Sequence, residues 1–191
     1  IPKPFQGHIG ITQRNAIGSW KQLHPDCEII LCGDDQGTEE IAAEFHVKWL
    51  PAIARNRYGT PLVSSAFEQV EKIARYPLLC YLNADIILIE SFISAVQSIP
   101  FMKFLMVGQR WDVDLSKPVN FGTEEWKHDL KRYVAEKGSL HPPTGIDYFV
   151  FPRGIMGVLP PFAVGRPGWD NWLIYRARAL SVPVVDVTTS G

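Results

Sequence analysis

Short apolar segments alternate with amphipathic segments over the first hundred residues, and this order constrains the fold more than any other feature of the chain. The apolar segments have the length of β-strands and lie at residues 28–32, 46–50 and 78–88. The segments between them show the helical spacing of apolar residues. Such an order is typical of a mostly parallel sheet with helices on both faces. We therefore predict an α/β fold of the Rossmann-like type, with a mostly parallel central sheet in a three-layer α/β/α arrangement.

The second half of the chain is less regular. Its strand-like segments lie at residues 104–108, 147–151 and 182–187. Charged helical segments and longer loops separate them. A chain of 191 residues is long enough for one domain and too short for two of ordinary size. We predict a single domain over residues 1–191, in which residues 1–100 bind a nucleotide and residues 101–191 select a second substrate.

Composition excludes several partners. The net charge of −1 provides no global field that would attract nucleic acid or an anionic membrane. No run of about 18 apolar residues is present, so we predict no membrane segment within this chain. Cys27, Cys32 and Cys80 lie in strand-like segments, which favours buried thiols over a metal site. The chain starts and stops abruptly at strand-like ends, so we expect it to be truncated at both ends. The sequence does not distinguish between a location in the cytoplasm and one in the Golgi lumen.

The triplet Asn83-Ala84-Asp85 interrupts the apolar run at residues 78–88 with two polar side chains. Burying a carboxylate is costly unless a cation or hydrogen bonds compensate it. Ligands of open α/β sheets bind at the carboxyl ends of the strands, and a divalent cation with phosphate oxygens would satisfy Asp85 there. The alternative is that Asp85 caps the next helix or accepts hydrogen bonds from loop amides.

Polar clusters follow all three strand-like segments of the first half. They are Gly33-Asp34-Asp35, Arg57-Tyr58-Gly59-Thr60 and Asn83-Ala84-Asp85. In a parallel sheet these positions lie at one edge and can meet in a single crevice. A nucleotide needs such a set, because carboxylates accept hydrogen bonds from base or ribose and an arginine pairs with phosphate. Turn formation alone is the alternative, since Gly, Asp and Asn favour turns. The absence of Gly-x-Gly-x-x-Gly argues against a dinucleotide-binding site, and the absence of a P-loop motif argues against a P-loop nucleotide site.

The densest polar and aromatic stretch of the second half is Arg166-Pro167-Gly168-Trp169-Asp170-Asn171-Trp172. Asp170 lies near the start of a helix, where the helix dipole favours a carboxylate. Such a carboxylate can act as a general base on a hydroxyl, and the indole of Trp169 offers a face suited to sugar C–H groups. Asp147, next to Tyr148, is a second candidate base. Helix stabilisation by Asp170 and core packing by the tryptophan are the alternatives.

Five motifs, taken in order, resemble the GT-A-fold nucleotide-sugar glycosyltransferases, in their family-2-like branch. They are Trp20-x-x-Leu23, residues 28–34, Asn56-x-x-Gly59-Thr60-Pro61-Leu62-Val63, Tyr81-Leu82-Asn83-Ala84-Asp85-Ile86 and Gly168-Trp169-Asp170-Asn171-Trp172. The resemblance covers nearly the whole chain, and it is supported by the order and spacing of the five motifs. It implies a GT-A fold and sugar transfer from a nucleoside diphosphate sugar, UDP- or GDP-linked, to a hydroxyl of a glycan, lipid or protein acceptor.

The resemblance also implies roles for individual residues. The donor nucleotide would contact Pro2, Lys3, Asp34, Asp35, Arg57, Gly59, Thr60, Asn83 and Asp85. Asp85 would bind Mn²⁺ or Mg²⁺ together with the diphosphate. The catalytic base would be Asp170, and Asp147 is the other candidate. The acceptor would contact Trp111, Tyr148, Trp169 and Asn171.

Two departures from the family's pattern leave other functions open. Asn83 replaces the first Asp of the family's Asp-x-Asp motif, and no His follows Val187, where relatives often have a metal ligand. Both differences weaken the expected metal site. A non-catalytic module that binds a nucleotide sugar or a glycan is therefore one alternative. A sugar nucleotidyltransferase is another, although Gln6-Gly7-His8-Ile9-Gly10 is a poor version of the basic, glycine-rich loop that it needs.

Overall fold

The computed structural model describes residues 1–190, which form six α-helices and eight short strands. The helices are α1 (Gly7–Lys21), α2 (Thr38–Phe45), α3 (Val63–Ile73), α4 (Glu90–Gln97), α5 (Glu125–Lys137) and α6 (Trp169–Ala179). The strands are β1 (Ile30–Cys32), β2 (Lys48–Leu50), β3 (Leu78–Leu82), β4 (Leu105–Val107), β5 (Trp111–Asp112), β6 (Ser139–Leu140), β7 (Tyr148–Pro152) and β8 (Val184–Asp186). The alternation of strands and helices in the first half matches the prediction.

The strand directions correct the prediction of a mostly parallel central sheet. The largest sheet has four strands in the order β3-β7-β4-β8, and β7 is antiparallel to both of its neighbours. Only β4 and β8 are parallel within it, while β1 and β2 form a separate parallel pair. β5 and β6 form a small antiparallel pair. The reason lies in β7, where Phe149 and Val150 are both almost fully buried. A strand buried on both faces is continuously apolar in either direction, so its pattern does not reveal its orientation.

Helices cover both faces of the four-stranded sheet. On one face, Leu105 and Phe149 pack against Phe67 of α3 and Leu173 of α6. Side chains of the opposite face, among them Met106, pack against Ala95 of α4 and its neighbours. This sheet therefore has helices on both sides, as a three-layer α/β/α arrangement requires.

The same two helical layers extend over the β1–β2 pair. Leu31 packs against Ile17 of α1 and Ile41 of α2 on one face. Cys32 packs against Ala66 of α3 on the other face. Because α3 also contacts the four-stranded sheet, one helical layer lies under both sheets.

Two further expectations are tested directly. Cys32 is buried, but Cys27 and Cys80 are exposed, so the expectation of buried thiols holds for Cys32 only. None of the helices in the described part of the chain is long and apolar enough to cross a membrane.

Candidate functional site

The carboxyl ends of three strands meet at one edge of the four-stranded sheet. β3 and β4 are both antiparallel to β7 and therefore run in the same direction, and β8 is parallel to β4. Asn83 follows β3 directly, Arg110 follows β4 after two residues, and Asp147 directly precedes β7. This edge is where ligand chemistry is found in open α/β sheets.

Asn83 and Asp147 form a pair at this edge. The backbone N–H of Asn83 donates to the carbonyl oxygen of Asp147 at 2.9 Å, which extends the β3–β7 pairing by one residue. Its side-chain amide donates to Oδ1 of Asp147 at 2.5 Å. The other carboxylate oxygen of Asp147 forms an ion pair with Nη1 of Arg110, and the Asp147 side chain is only 15% exposed. Oδ1 of this candidate base is therefore hydrogen-bonded, and its buried Oδ2 is paired with the charge of Arg110 but accepts no hydrogen bond.

Arg110 connects this pair to the β5–β6 strands. Its Nε donates to Asp112 at 2.7 Å, and its Nη2 lies 2.9 Å from Nδ1 of His141. The same His141 nitrogen lies 2.6 Å from Asp112. Hydrogen bonds from His141 and from Arg110 hold the pKa of Asp112 below its ordinary value. We call Asn83, Arg110, Asp112, His141 and Asp147 the arginine cluster.

Three members of the arginine cluster, Arg110, Asp112 and His141, were not among the residues predicted from the sequence. The contacts within the cluster join residues up to 64 positions apart. A pattern of neighbouring residues in the sequence does not predict such contacts. One signal was available for Arg110, because it follows a strand as the polar clusters of the first half do.

Asp85 is exposed, which corrects the expectation of a buried carboxylate. The physical reason is that β3 ends at Leu82 rather than continuing to residue 88. Residues 83–86 form a turn, in which the Ile86 N–H donates to the Asn83 carbonyl at 3.2 Å. In the described part of the chain, the Asp85 carboxylate has no hydrogen bond or ion pair. It therefore neither caps α4 nor binds loop amides.

The donor atoms near Asp85 restrict the kind of metal site that this region can form. No group of three or more described His, Cys, Asp or Glu side chains can hold a metal ion. Asp85 offers a single accessible carboxylate. Mg²⁺ keeps several waters and is often held by one or two carboxylates plus substrate phosphates. The residues present fit a cation of that kind, shared with a diphosphate, and not a site made wholly of protein ligands.

A second cluster joins the ends of β1 and β2. Arg55 forms ion pairs with Asp34 and, at 3.4 Å, with Asp35, and its Nη1 donates to the Gly59 carbonyl at 2.7 Å. The hydrogen bond and the charge of Arg55 hold the pKa of Asp34 below its ordinary value. The residue predicted from the sequence was Arg57, whereas Arg55 forms these contacts. We call Asp34, Asp35, Arg55 and the loop at residues 56–60 the β1–β2 cluster.

The loop at residues 56–60 is shaped by Asn56. Its side-chain oxygen accepts hydrogen bonds from the N–H groups of Tyr58 at 2.9 Å and Thr60 at 3.0 Å. Gly59 has φ +78°, a conformation that residues with a Cβ rarely adopt. Arg57 lies over the Tyr58 ring, 4.7 Å from its centroid, and Tyr58 is 75% exposed. The loop thus presents an aromatic ring and a cation to solvent.

The first residues of the chain lie beside the β1–β2 cluster. Gln13, almost fully buried on α1, accepts from the Lys3 N–H at 2.7 Å and donates to the Lys3 carbonyl at 2.8 Å. Pro2 is buried, and a Cβ on Gly33 would lie 3.4 Å from the Ile1 side chain. Because Gly33 directly precedes Asp34, these contacts bring Pro2 and Lys3 close to the carboxyl end of β1.

The start of α6 approaches the arginine cluster from the helical layer that also contains α3. The Trp169 ring packs on Tyr81 at 4.8 Å and on Phe149 at 5.4 Å between centroids. Tyr81 and Phe149 are partners in the β3–β7 register, two positions before the Asn83–Asp147 pair. Side chains two positions apart on a strand share a face, so Trp169 lies on the face of the sheet that carries Asn83 and Asp147.

Asp170 lies in the first turn of α6, whose N-cap residue is Gly168. Its Oδ1 accepts from the Asn171 N–H at 2.8 Å, from the Gly168 N–H at 3.2 Å and from the Asn171 side-chain amide at 3.3 Å. Its Oδ2 accepts no hydrogen bond from any described residue. Oδ1 therefore stabilises the first turn of α6, as the helix-stabilising interpretation predicts. Oδ2 remains free to accept a hydrogen bond from a ligand.

The predicted acceptor residues fall into two groups. Tyr148 and Trp169 are each only 8% exposed and pack in the core, where burial raises the pKa of Tyr148 to about 12. Trp111 is 54% exposed and Asn171 is also exposed.

No hydrogen bond or ion pair between described residues links the arginine cluster to the β1–β2 cluster.

Comparison with solved structures identifies proteins of similar fold. A crystal structure of glucosyl-3-phosphoglycerate synthase from Mycobacterium tuberculosis matches with a TM-score of 0.53 and 16% identity, over 93% of this chain and 66% of that one. The same synthase in complex with uridine diphosphate matches with a TM-score of 0.55 and 15% identity, over 96% of this chain and 68% of that one. The chain thus spans about two thirds of these structures. No family model and no curated protein matches the sequence. At this identity, the likeness establishes that the chain shares the fold of a GT-A-type glycosyltransferase.

Proposed function

We propose that this protein transfers a sugar from a nucleoside diphosphate sugar to an acceptor hydroxyl. One observation carries the proposal: an accessible carboxylate, Asp85, follows directly after the Asn83–Asp147 pair at the carboxyl end of β3. It does so in a fold shared with a synthase that was crystallised with uridine diphosphate. That arrangement suits a ligand with a diphosphate at this edge.

The β1–β2 cluster would bind the nucleoside. Asp34 and Asp35 both form ion pairs with Arg55, and their oxygens would accept hydrogen bonds from base or ribose donors. The ring of Tyr58 offers a stacking surface, and Arg57 beside it offers a charge for phosphate. Pro2, Lys3, Gly59 and Thr60 complete this side of the proposed donor site.

Asn83 and Asp85 would contact the ribose and the diphosphate. Asp85 would hold Mn²⁺ or Mg²⁺ together with phosphate oxygens. Such a cation, when bound, offsets the negative charge that develops on the leaving diphosphate. Asp147 is better suited to positioning Asn83 than to taking a proton, because Oδ1 accepts a hydrogen bond from Asn83 and the buried Oδ2 is ion-paired with Arg110.

Asp170 is the better candidate for the base. Its hydrogen bonds within the first turn of α6 fix the carboxylate through Oδ1 and leave Oδ2 for an acceptor hydroxyl. A positioned base of this kind typically contributes about 10²–10⁴-fold to the rate. Exposed Trp111 and Asn171 are the proposed acceptor contacts, whereas Tyr148 and Trp169 would support them from the core.

A second candidate function is a non-catalytic module that binds a nucleotide sugar. It is favoured by the lack of a preformed cluster of three metal ligands among the described side chains. A sugar nucleotidyltransferase has no comparable support, and pyrophosphate release from nucleoside triphosphate and sugar phosphate would reveal it.

Thermal shift with UDP, GDP, CDP and TDP, each with and without Mn²⁺, tests donor binding. At a hundredfold excess over Kd, a specific ligand stabilises the protein by about 2.7 kcal/mol. We expect one diphosphate to raise Tm, and Asp34→Asn to reduce that rise. Asp129→Asn, an exposed change on α5, is the matched control. Absence of any shift contradicts the proposal.

Hydrolysis of the matching nucleotide sugar separates the two candidate functions. Many transferases release a little sugar to water, whereas a binding module does not. A thermal shift together with slow donor hydrolysis supports the transferase, and a thermal shift without turnover supports the binding module.

A further inference from the structure

The four-stranded sheet has a second end, opposite the candidate functional site, where β3, β4 and β8 begin and β7 ends. Four segments of the chain meet at this end. They are residues 74–77, 98–104, 153–158 and 176–183, the last of which includes the end of α6. We call these four segments the far edge.

Hydrogen bonds join the four segments into one surface. The N–H of Arg153 donates to the carbonyl of Pro77 at 2.7 Å, which links the third segment to the first. The N–H of Leu105, directly after the second segment, donates to the carbonyl of Pro183 at 2.8 Å in the fourth. Nε of Arg176 donates to a carbonyl of the third segment at 3.2 Å. The far edge is therefore continuous.

The charge of the far edge is one-sided. The four segments contain five cationic residues and no acidic residue. The cationic residues are Arg75, Lys103, Arg153, Arg176 and Arg178. The net charge of −1 conceals this asymmetry, because the 20 acidic side chains of the chain all lie elsewhere.

Two carboxylates contact the far edge, and both have partners there or beside it. Glu71 accepts a hydrogen bond from the N–H of Gly154 at 3.0 Å. Glu28 accepts from the N–H of Arg75 at 2.7 Å and forms an ion pair with a lysine of β2. Lys103 and Arg178 are exposed, and no carboxylate in the described part of the chain lies within ion-pair distance of either. Their positive charge is therefore not neutralised within the protein.

Two loops of the far edge also expose an apolar side chain. Met102 and Val158 are each 91% exposed. Phe104, two positions after Met102, is buried, and so are Met156 and Leu159 on either side of Val158. The core thus anchors both loops while Met102 and Val158 remain in solvent. Exposed apolar side chains beside lysine and arginine are typical of surfaces that bind the boundary between lipid headgroups and acyl chains.

We propose that the far edge binds the surface of an anionic lipid bilayer, with Met102 and Val158 inserted among the headgroups. The five cations would lie against the anionic headgroups, where the attraction acts over about 10 Å. A soluble anionic polymer would contact the cations alone, so the two exposed apolar side chains favour the bilayer. Binding in this orientation leaves the arginine cluster on the side away from the bilayer. The inference does not depend on the proposed function.

Co-sedimentation with sucrose-loaded vesicles tests the inference. One set of vesicles contains phosphatidylcholine with about 30% phosphatidylserine, and the other contains phosphatidylcholine alone. We expect the protein to bind the anionic vesicles only, and to bind them less when NaCl is raised from about 0.1 M to about 0.5 M. Failure to bind the anionic vesicles at the lower salt concentration overturns the inference.

Paired charge variants locate the binding surface. Lys103→Gln combined with Arg178→Gln removes the two cations without a carboxylate partner. Each cation strengthens binding to an anionic leaflet by about fivefold, so this double variant should bind about 25-fold more weakly. Lys117→Gln combined with Lys137→Gln is the matched control, since it changes the net charge equally at exposed positions outside the far edge. Equal weakening by the two double variants overturns the inference.

An apolar variant distinguishes a bilayer from a soluble anionic partner. Met102→Ser combined with Val158→Ser keeps every charge and should bind the anionic vesicles about tenfold more weakly. Ile9→Ser, an exposed change on α1, should bind as the parent does. The changed side chains are exposed, so each variant should unfold within about 2 °C of the parent Tm. Unchanged vesicle binding by the Met102 and Val158 variant overturns the bilayer inference in favour of a soluble anionic partner.

Discussion

The side-chain amide of Asn83 donates a hydrogen bond of 2.5 Å to the carboxylate of Asp147, 64 residues later in the chain. This contact places the polar triplet after β3 beside the start of β7 and, through Asp147, beside Arg110. In the family that the sequence resembles, an Asp occupies the position of Asn83. Here the amide is matched to its partner, since a carboxylate would face another carboxylate.

Asn83→Asp tests this pairing. We expect the variant to lose about 1–3 kcal/mol of unfolding free energy at neutral pH, because a donor becomes a like charge. The pKa of one carboxyl of the new pair should rise, so the loss should shrink as pH falls. Thermal unfolding at pH 8 and pH 5 measures this, with Asn120→Asp at an exposed position as control. An equal loss at both pH values contradicts the prediction.

Arg110 should stabilise the fold through Asp147. Arg110→Met leaves a largely buried carboxylate without its cation, and we expect a loss of about 2–3 kcal/mol. Asp147→Asn removes that charge, so the double variant should lose less than the sum of the single variants. Denaturant unfolding of the four proteins gives the coupling free energy. Arg132→Met, in a surface pair that is 60% exposed on both sides, should cost less than about 1 kcal/mol. If the losses of unfolding free energy from the two single variants are additive, Arg110 does not stabilise the fold through Asp147.

Asp85 and Asp170 should differ in how they affect turnover. Asp85→Ala should weaken binding of the donor and abolish turnover, because it removes the proposed ligand for the diphosphate-bound cation. Asp170→Asn should leave donor binding within about twofold and lower kcat by about 10²–10⁴-fold, since only proton transfer is lost. Calorimetric binding of the donor nucleotide and initial rates measure the two effects separately. Near-normal rates for Asp170→Asn would exclude it as the base.

Gly108 lies where a side chain has no room. A Cβ at this position would overlap the Tyr148 hydroxyl, so Gly108→Ala should cost about 1–3 kcal/mol. For a chain of this size, that corresponds to a fall of roughly 2–12 °C in Tm. Tyr148→Phe removes the overlapping oxygen and should restore part of the loss in the double variant. No recovery in the double variant would mean that the strain lies in the backbone.

Glu28 should make the stability depend on pH. Burial raises its pKa, but hydrogen bonds from Lys48 and from the Arg75 N–H outweigh burial and hold the pKa below its ordinary value. A lowered pKa in the folded state adds stability that is present above the unfolded pKa of 4.5 and is lost as pH falls through the folded pKa. Glu28→Gln should therefore be less stable than the parent at pH 7, and the two unfolding curves should converge below pH 4. Parallel curves would contradict this.

The sequence was sufficient for the features that depend on local periodicity and turn chemistry. Alternating apolar and amphipathic segments predicted the strand–helix order, and the polar residues after each strand predicted where Asp34 and Asn83 would lie. A resemblance carried by the order of five motifs led to a fold that the solved structures share. The strand–helix order and the polar strand ends are local features, because each depends on residues only a few positions apart.

Tertiary structure decided the orientation of β7, the exposure of Asp85 and the partners of Arg55 and Arg110. A buried strand has the same apolar pattern in both directions, so only its neighbours determine that β7 runs antiparallel. Arg55 and Arg110 bind carboxylates that are up to 37 residues away in sequence, and charge alone does not select among the 20 acidic side chains of the chain. Such pairings depend on which strand ends meet, and that is a property of the folded sheet.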